Sequence, residues 1–181
     1  MLAKDSMNNK KIKNQRGFTL VETLVAILIF VLALSALLAL VKDSVTSAIY
    51  TKNEMIATYL NQESIDYIRN IRDEIVKINP NPSSNPWNDF TYEILDASRG
   101  GCDINLVNPG CELFIGDPFA ELRPCPPDGC NPIFIDDKPF RRKITASGVG
   151  DVLLIKTEIF WYNGLNQRSR VLTTSLYNWA I

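Results

Sequence analysis

The chain of 181 residues contains no histidine. Histidine is the side chain used most often as an acid or base near neutral pH, and it is also the commonest metal ligand. The remaining residues show no nucleophile–base arrangement, no phosphate-binding loop and no carboxylate pair at a telling spacing. We therefore expect a protein that is not an enzyme, with no catalytic residue, no metal and no cofactor.

Glycine and proline are absent between Gly17 and Pro80. A stretch of this length without a helix breaker favours one helix from about Phe18 to about Asn79. Its second half mixes charged residues with an apolar stripe at helical spacing. The stripe consists of Val45, Ile49, Ile56, Leu60, Tyr67, Ile71, Ile75 and Ile78, with gaps at Lys52 and Ser64.

The first half of this helix is apolar on all sides. From Phe18 to Val41, only Thr19, Glu22, Thr23 and Ser35 interrupt the hydrophobic residues. A helix of this length measures ~36 Å, which is enough to cross a bilayer core of roughly 30 Å. The run is longer than the apolar core of an ordinary secretory signal, so we expect a span that stays in the product.

Charge is distributed unevenly along the chain. Residues 1–17 carry five basic residues and one acidic residue, a net charge of +4, and the remainder has a net charge of −5. Basic residues before a span favour a cytoplasmic leader and export of the rest. The acidic exported part argues against non-specific binding to nucleic acid, which needs basic surface.

Glu22 is the one acidic residue in the apolar run. Burying an ionised carboxylate in hydrocarbon is costly, so such a group is usually paired. Because nothing nearby in the span has the opposite charge, we expect its partner on another molecule. This feature points to a protein that assembles. An ordinary signal anchor that never assembles is the plain alternative.

The remainder of the chain changes character at Pro80. Residues 80–139 are rich in Pro, Gly, Asn and Asp, and we predict an irregular loop region with short strands at best over 90–95, 112–116 and 132–136. Residues 140–181 are predicted as an antiparallel sheet with strands at 140–146, 152–162 and 168–179. On the middle strand, Leu153, Ile155, Thr157, Ile159 and Trp161 share one face. The predicted fold class is α+β, with the long helix packed on this sheet.

Residues 16–25, Arg-Gly-Phe-Thr-Leu-Val-Glu-Thr-Leu-Val, resemble the processing site of type IV pilins and of the pseudopilins of type II secretion and competence systems. The resemblance implies that a membrane-bound prepilin peptidase cuts between Gly17 and Phe18, and that Phe18 is then N-methylated. Cleavage leaves a cationic amine at Phe18. Stacking of parallel helices then brings this amine beside Glu22 of the next subunit, where a buried ion pair sets the register.

The same resemblance predicts the segments of the helix and the partners of the protein. Residues 1–17 are the cleaved leader, 18–42 the membrane and assembly helix, and 43–79 its amphipathic continuation. Ala39 stands where many major pilins have proline, which favours a minor pilin or pseudopilin. Residues 57–70 and 161–179 resemble the PilV-like and type II secretion I-type group. The implied partners are the peptidase, other pilins, a membrane platform protein and its assembly ATPase, first in the cytoplasmic membrane and then in a filament.

Four cysteines, Cys102, Cys111, Cys125 and Cys130, lie in the part expected outside the cytoplasm. Disulfides are the usual state there, and two local pairs, 102–111 and 125–130, are favoured. The other pairings stay open, as do free thiols. A zinc site of four thiolates is a further alternative, although the spacing suits it poorly.

Two basic clusters lie on neighbouring predicted strands, Arg141, Arg142 and Lys143 on one and Arg168 and Arg170 on the other. If they met, they would form a patch for DNA or another acidic polymer, and the protein would be a filament-tip adhesin or DNA receptor. Alternation along a strand turns Arg142 to the opposite face from Arg141 and Lys143, which weakens the patch. The competing interpretation is solvent-face charge that protects the sheet from aggregation.

Two further groups also have a functional and a structural interpretation. Acidic residues in the loops suggest a calcium site or solvated turns. Aromatic residues suggest a sugar-binding platform or a core. We favour the structural interpretation for both. The acidic set is Asp117, Asp128, Asp136, Asp137 and Asp151, and the aromatic set is Trp87, Phe90, Phe134, Phe140, Trp161, Tyr162, Tyr177 and Trp179.

Overall fold

The computed structural model describes residues 17, 19–78, 85–106, 110–116 and 120–178. The chain divides into two compact units, Met1–Ser47 and Ala48–Ile181. The predicted α+β fold class is confirmed, with a long helix that packs on an antiparallel sheet in the second unit.

The long helix, α1, runs from Leu20 to Ile78 without a break. The predicted ends, Phe18 and Asn79, both lie outside the described residues. In the first unit, every described residue up to Ser47 is exposed. By length and composition, α1 is the one helix among the described residues that is apolar enough to cross a membrane.

In the second unit, α1 buries one face, made of Asn53, Ala57, Asn61, Ser64, Ile65 and Ile68. The predicted stripe is therefore partly wrong. Val45, Ile49 and Ile78 are exposed, and Ser64, which the pattern marks as a gap, is fully buried. The pattern fails here because the helix meets polar partners on the sheet, which the apolar spacing does not reveal.

The second helix, α2, spans Pro86–Leu95 and corrects the predicted strand at 90–95. Asn85 caps it, and the Asn85 side chain accepts hydrogen bonds from the backbone N–H groups of Trp87 and Asn88. Proline at the first helical position is compatible with a helix start because its missing N–H is not needed there. Trp87, Phe90 and Ile94 all lie on the buried face of α2.

Six strands form one antiparallel sheet. They are β1 (Cys111–Ile115), β2 (Ala120–Pro124), β3 (Pro132–Ile135), β4 (Lys138–Val149), β5 (Val152–Asn163) and β6 (Asn166–Tyr177). The order is β2-β1-β4-β5-β6, and β3 pairs with β4 beside this path. The strands predicted at 112–116 and 132–136 are confirmed as β1 and β3. The region predicted as irregular loop also supplies β2, so it is part of the sheet.

The three long strands are confirmed, with shifted ends. Gly148 lies within β4, whereas Gly150 makes the β4–β5 turn with φ +58°. The β5–β6 hairpin turns at Gly164, whose φ is +64°. A positive φ is readily available to glycine, which explains these two turn positions. Trp179, the predicted end of the last strand, lies outside the described residues.

Two apolar clusters join the second part of α1 to the sheet. The larger contains Ile68 with residues of α2, β1, β4, β5 and β6, and the smaller contains Ala57, Phe140, Ile159 and Trp161. On β4, Arg142 lies between Phe140 of the smaller cluster and Ile144 of the larger one, and on β5 Thr157 holds the corresponding place. A polar band thus separates the two clusters.

Ile68 tests the packing of α1 on the sheet. Because its side chain is fully buried in the larger cluster, Ile68→Ala should reduce the free energy of unfolding by about 2–5 kcal/mol. Ile78→Ala is the matched control, since Ile78 lies on the same helix but is exposed. Thermal unfolding of the full chain in an uncharged detergent measures both. Equal effects of the two variants would contradict this packing.

Candidate functional site

The predicted cleavage position, Gly17, is exposed, and a Cβ built on it meets no described atom within 4 Å. Its φ lies outside the range that favours glycine. Neither packing nor backbone conformation within the described chain therefore requires glycine here. The role of Gly17 as the cleavage position stays a prediction.

Thr19 caps the start of α1. Its hydroxyl oxygen accepts a hydrogen bond from the backbone N–H of Glu22 at 3.3 Å, and its carbonyl accepts one from the N–H of Thr23. A capping threonine satisfies donors that a helix start leaves free. The sequence interpretation missed this role, although the signal, Thr19-x-x-Glu22, is the pattern of a capping box.

Glu22 lies in the first turn of α1, where a negative charge is favoured by the helix dipole. It is exposed and forms no ion pair with any described residue. Phe18, the predicted site of the amine and of methylation, lies outside the described residues. The pair between Glu22 and Phe18 of a neighbour therefore stays a prediction.

From Leu20 onward, α1 presents a large apolar surface that no described residue covers. Leu20, Leu24, Ile27, Leu28 and Phe30 are each more than half exposed, and the pattern continues to Val41. A contiguous apolar surface of this size marks contact with a membrane or with other proteins. Among the described residues, the first unit thus combines an open glycine, an acid without an ion pair and an uncovered apolar helix.

Arg142 is buried in the second unit, with 1% of its surface exposed. Its Nη1 donates to the Glu63 carboxylate at 2.7 Å and also to the Leu60 carbonyl and the Ser64 hydroxyl at 3.3 Å. Its Nη2 donates to the carbonyl of Leu113 on β1 at 2.9 Å. One guanidinium therefore connects α1, β4 and β1, which we call the Arg142 clamp.

The five basic residues that could form a ligand patch do not lie together on one surface. Arg142 is taken up by the clamp, and strand pairing places Arg168 and Arg170 on the α1 side of the sheet. Arg170 pairs with Glu54 at 3.2 Å, and Arg168 lies over the Tyr50 ring. Arg141 and Lys143 remain on the opposite face. The surface on which the DNA-receptor alternative depends is therefore not formed.

The favoured disulfides, Cys102–Cys111 and Cys125–Cys130, are confirmed. In the described part of the chain, one group of metal-ligating side chains lies close together, namely Glu112, Cys125 and Cys130. Both sulfurs of that group belong to a disulfide. Since all four thiols are used in this way, the four-thiolate zinc alternative is contradicted.

The described acidic residues of this set lie at three turns, namely Asp128 after β2, Asp136 and Asp137 between β3 and β4, and Asp151 between β4 and β5. Asp136 and Asp137 form the β3–β4 turn with φ of 49° and 60°, a conformation that aspartate tolerates better than most residues. A hydrogen bond from Lys52, with the charge of Lys52, lowers the pKa of Asp136. Asp151 accepts a hydrogen bond from Asn178, and Asp117 lies outside the described residues. The structural interpretation of this set is thus supported where the chain is described.

The aromatic residues divide between core and surface. Trp87, Phe90, Phe140 and Trp161 are buried, as the structural interpretation predicts. Phe134, Tyr162 and Tyr177 are exposed, and Trp179 lies outside the described residues. Tyr67, on α1, donates to the Ala120 carbonyl of β2, and burial is the main cause that raises its pKa.

Comparison with known families bears on the N-terminal segment alone. Residues 12–38 match the prokaryotic N-terminal methylation motif. The match spans Gly17, Thr19 and Glu22, whose geometry is described above, and it supports a type IV pilin-like structural subunit that prepilin peptidase processes and that assembles with other pilins. Together with the apolar helix, it indicates anchoring in a membrane. No curated protein and no solved structure matches the chain.

The Arg142 clamp should be essential to stability. Arg142→Met keeps much of the side-chain volume but removes every donor, so the Leu113 and Leu60 carbonyls lose a partner. We expect a loss of at least about 2 kcal/mol in the free energy of unfolding. Arg141→Met, one residue away on the exposed face, should change it by less than about 0.5 kcal/mol. Thermal unfolding of both variants measures the difference, and a stable Arg142→Met protein would refute the clamp.

Proposed function

We propose that this protein is a minor structural subunit of a type IV pilus-like filament or of a type II secretion or competence pseudopilus. The observation that carries the proposal is the exposed apolar start of α1. It contains one acid, Glu22, which has no ion pair with a described residue and lies five residues beyond Gly17, where no described atom would contact a Cβ. The match of residues 12–38 to the methylation motif supports it.

Processing would begin at Gly17 in the cytoplasmic membrane. Prepilin peptidase removes residues 1–17, and the new amine of Phe18 is methylated and stays cationic at neutral pH. Removal of the leader also removes a net charge of +4 next to the apolar helix. What remains is a helix with a single cation at its tip and Glu22 about one turn further along.

Assembly would then match these two charges between subunits. In a bundle of parallel helices with a small axial offset, the amine of one subunit meets Glu22 of the next. The apolar residues up to Val41 cover one another, so the pair lies in a dry environment. A buried pair contributes little to stability by itself, but a misplaced charge is heavily penalised, which gives the pair control of register.

A minor rather than a major subunit is proposed because α1 passes through Ala39 as regular helix where many major pilins carry proline. The proposed subgroup is the PilV-like and type II secretion I-type group, because residues 57–70 and 161–179 resemble that group.

The platform protein and the assembly ATPase are the proposed source of force. A role outside catalysis agrees with the absence of histidine. The basic leader favours a cytoplasmic N-terminus and an exported second unit.

Replacement of Gly17 tests the processing step. Gly17→Leu should block cleavage because a branched side chain obstructs close approach to the backbone. The cellular product should then be larger by the 17-residue leader, which gel electrophoresis and mass spectrometry detect. Asn8→Leu introduces the same side chain elsewhere in the leader and should be processed normally. Complete processing of Gly17→Leu would count against the proposal.

Replacement of Glu22 tests the assembly step separately. Glu22→Ala should insert and be cleaved normally, but its incorporation into filaments should fall by about tenfold or more, because the amine of the neighbour loses its partner. Asp43→Ala is the control, since Asp43 is an exposed acid on α1 beyond the apolar run. Quantitative immunoblotting of sheared filaments against membranes gives the ratio. Equal incorporation of both variants would remove the charge pair.

A further inference from the structure

The Cys125–Cys130 disulfide forms one wall of a cavity of about 290 Å³. Phe160, Arg141 and Lys143 supply the opposite side of this cavity. These three residues alternate with the buried residues of β4 and β5, so the cavity lies on the sheet face turned away from α1. We call it the outer cavity.

The two disulfides of the chain have very different surroundings. Cys102 and Cys111 are both fully buried in the larger apolar cluster. Cys125 and Cys130 keep a small exposed fraction, and both line the outer cavity. A disulfide whose residues line a cavity is easier for another thiol to reach than a disulfide inside a packed core, which is reached only after unfolding.

The outer cavity is positively charged. The Arg141 guanidinium lies 3.3 Å from the place that a Cβ on Gly129 would occupy, so it rests against the Cys125–Cys130 turn. Neither Arg141 nor Lys143 forms an ion pair with a described residue, and none of the described residues that line the cavity is acidic. Cations placed in this way attract an approaching thiolate and stabilise a leaving thiolate.

A carboxylate also lies close to the same disulfide. Glu112 is buried, and its ligating oxygen is within 4.8 Å of both sulfurs. It accepts hydrogen bonds from the backbone N–H and from Nδ2 of Asn131. Negative charge at this position opposes a new thiolate. Among the described residues that line the outer cavity, Arg141 and Lys143 supply the positive charge that offsets it.

We propose that Cys125–Cys130 is a thiol–disulfide exchange site whose substrate is a dithiol with negative charge next to its sulfurs. One thiolate of the substrate attacks a cysteine sulfur at the cavity wall. The Sγ–Sγ bond breaks, a mixed disulfide forms, and the electron pair leaves on the other cysteine sulfur as a thiolate. The second substrate thiolate then displaces the first cysteine, so that the substrate is oxidised and the protein disulfide is reduced by two electrons.

This activity is separate from filament assembly, because it uses residues of the second unit alone. A long polyanion is a poorer occupant of the outer cavity. Arg142, Arg168 and Arg170, the cations that would extend a binding track, are buried or lie on the opposite face. A compact anionic thiol needs only the two cations that are present.

The experiment follows the reduction of both disulfides in the full chain, held in an uncharged detergent. The probes are 2-mercaptoethanesulfonate, which is negative, 2-mercaptoethanol, which is uncharged, and cysteamine, which is positive. Free thiols are trapped with N-ethylmaleimide at set times, and peptide mass spectrometry reports each cysteine separately. Wild-type protein should lose Cys125–Cys130 at least about tenfold faster than Cys102–Cys111 with every probe.

The double variant Arg141→Gln with Lys143→Gln should then show whether charge or accessibility determines the rate of reduction. Reduction of Cys125–Cys130 by 2-mercaptoethanesulfonate should slow about fivefold, whereas reduction by cysteamine should change less than about twofold. The intrinsic reactivity of each thiol probe cancels, because the rate with that probe is compared between the wild-type protein and the variant. Lys156→Gln is the control, since Lys156 is a cation of the same sheet face that pairs with Glu158 outside the cavity. Equal slowing with all three probes, or equal rates for the two disulfides, would overturn the proposal.

Discussion

The second unit depends on the burial of one face of α1 against β4 and β5. A sheet with an uncovered apolar face is not stable in water, and a helix in water needs a packed face of its own. Each therefore stabilises the other, through Ile68 in the larger cluster and Ala57 in the smaller one. The Arg142 clamp lies between the clusters and ties the same helix to β1 as well.

The same rule about charge applies to Arg142, which contacts the second part of α1, and to Glu22 at the start of α1. A buried ionised group must find partners, and Arg142 finds them on α1 and β1. Glu22 has none among the described residues and lies at the start of an apolar surface that has no cover. Arg142 is therefore a charge with partners inside the fold, whereas the proposed partner of Glu22 belongs to another subunit.

The two disulfides show a similar division. Cys102–Cys111 fastens the segment after α2 to β1 inside the core, where its role is to constrain the chain. Cys125–Cys130 closes the turn after β2 at the wall of a charged cavity, with Glu112 close to it. Chemistry at sulfur depends on the charges that surround it, so two bonds of the same kind acquire different properties from their positions in the sheet.

Local patterns were enough to predict much of this protein. The run without glycine or proline predicted α1, the alternation on β5 predicted its buried face, and the close spacing of cysteines predicted both disulfides, because each of these features depends on residues near in sequence. The same holds for the N-terminal methylation motif, which lies within residues 12–38. The missed elements also had local signals, namely the Asn85-Pro86 start of α2 and the capping pattern at Thr19.

The tertiary structure decided what residues far apart in sequence do together. It showed that Arg142 serves Glu63 and Leu113 instead of a surface ligand, that Arg168 and Arg170 face α1, and that Ser64 is buried. It also brought Arg141, Lys143 and Phe160 to the Cys125–Cys130 bond. These outcomes depend on strand register and on which side of the sheet the helix covers. Alternation along one strand gives two faces, but only packing against a distant helix determines which of them becomes the inside.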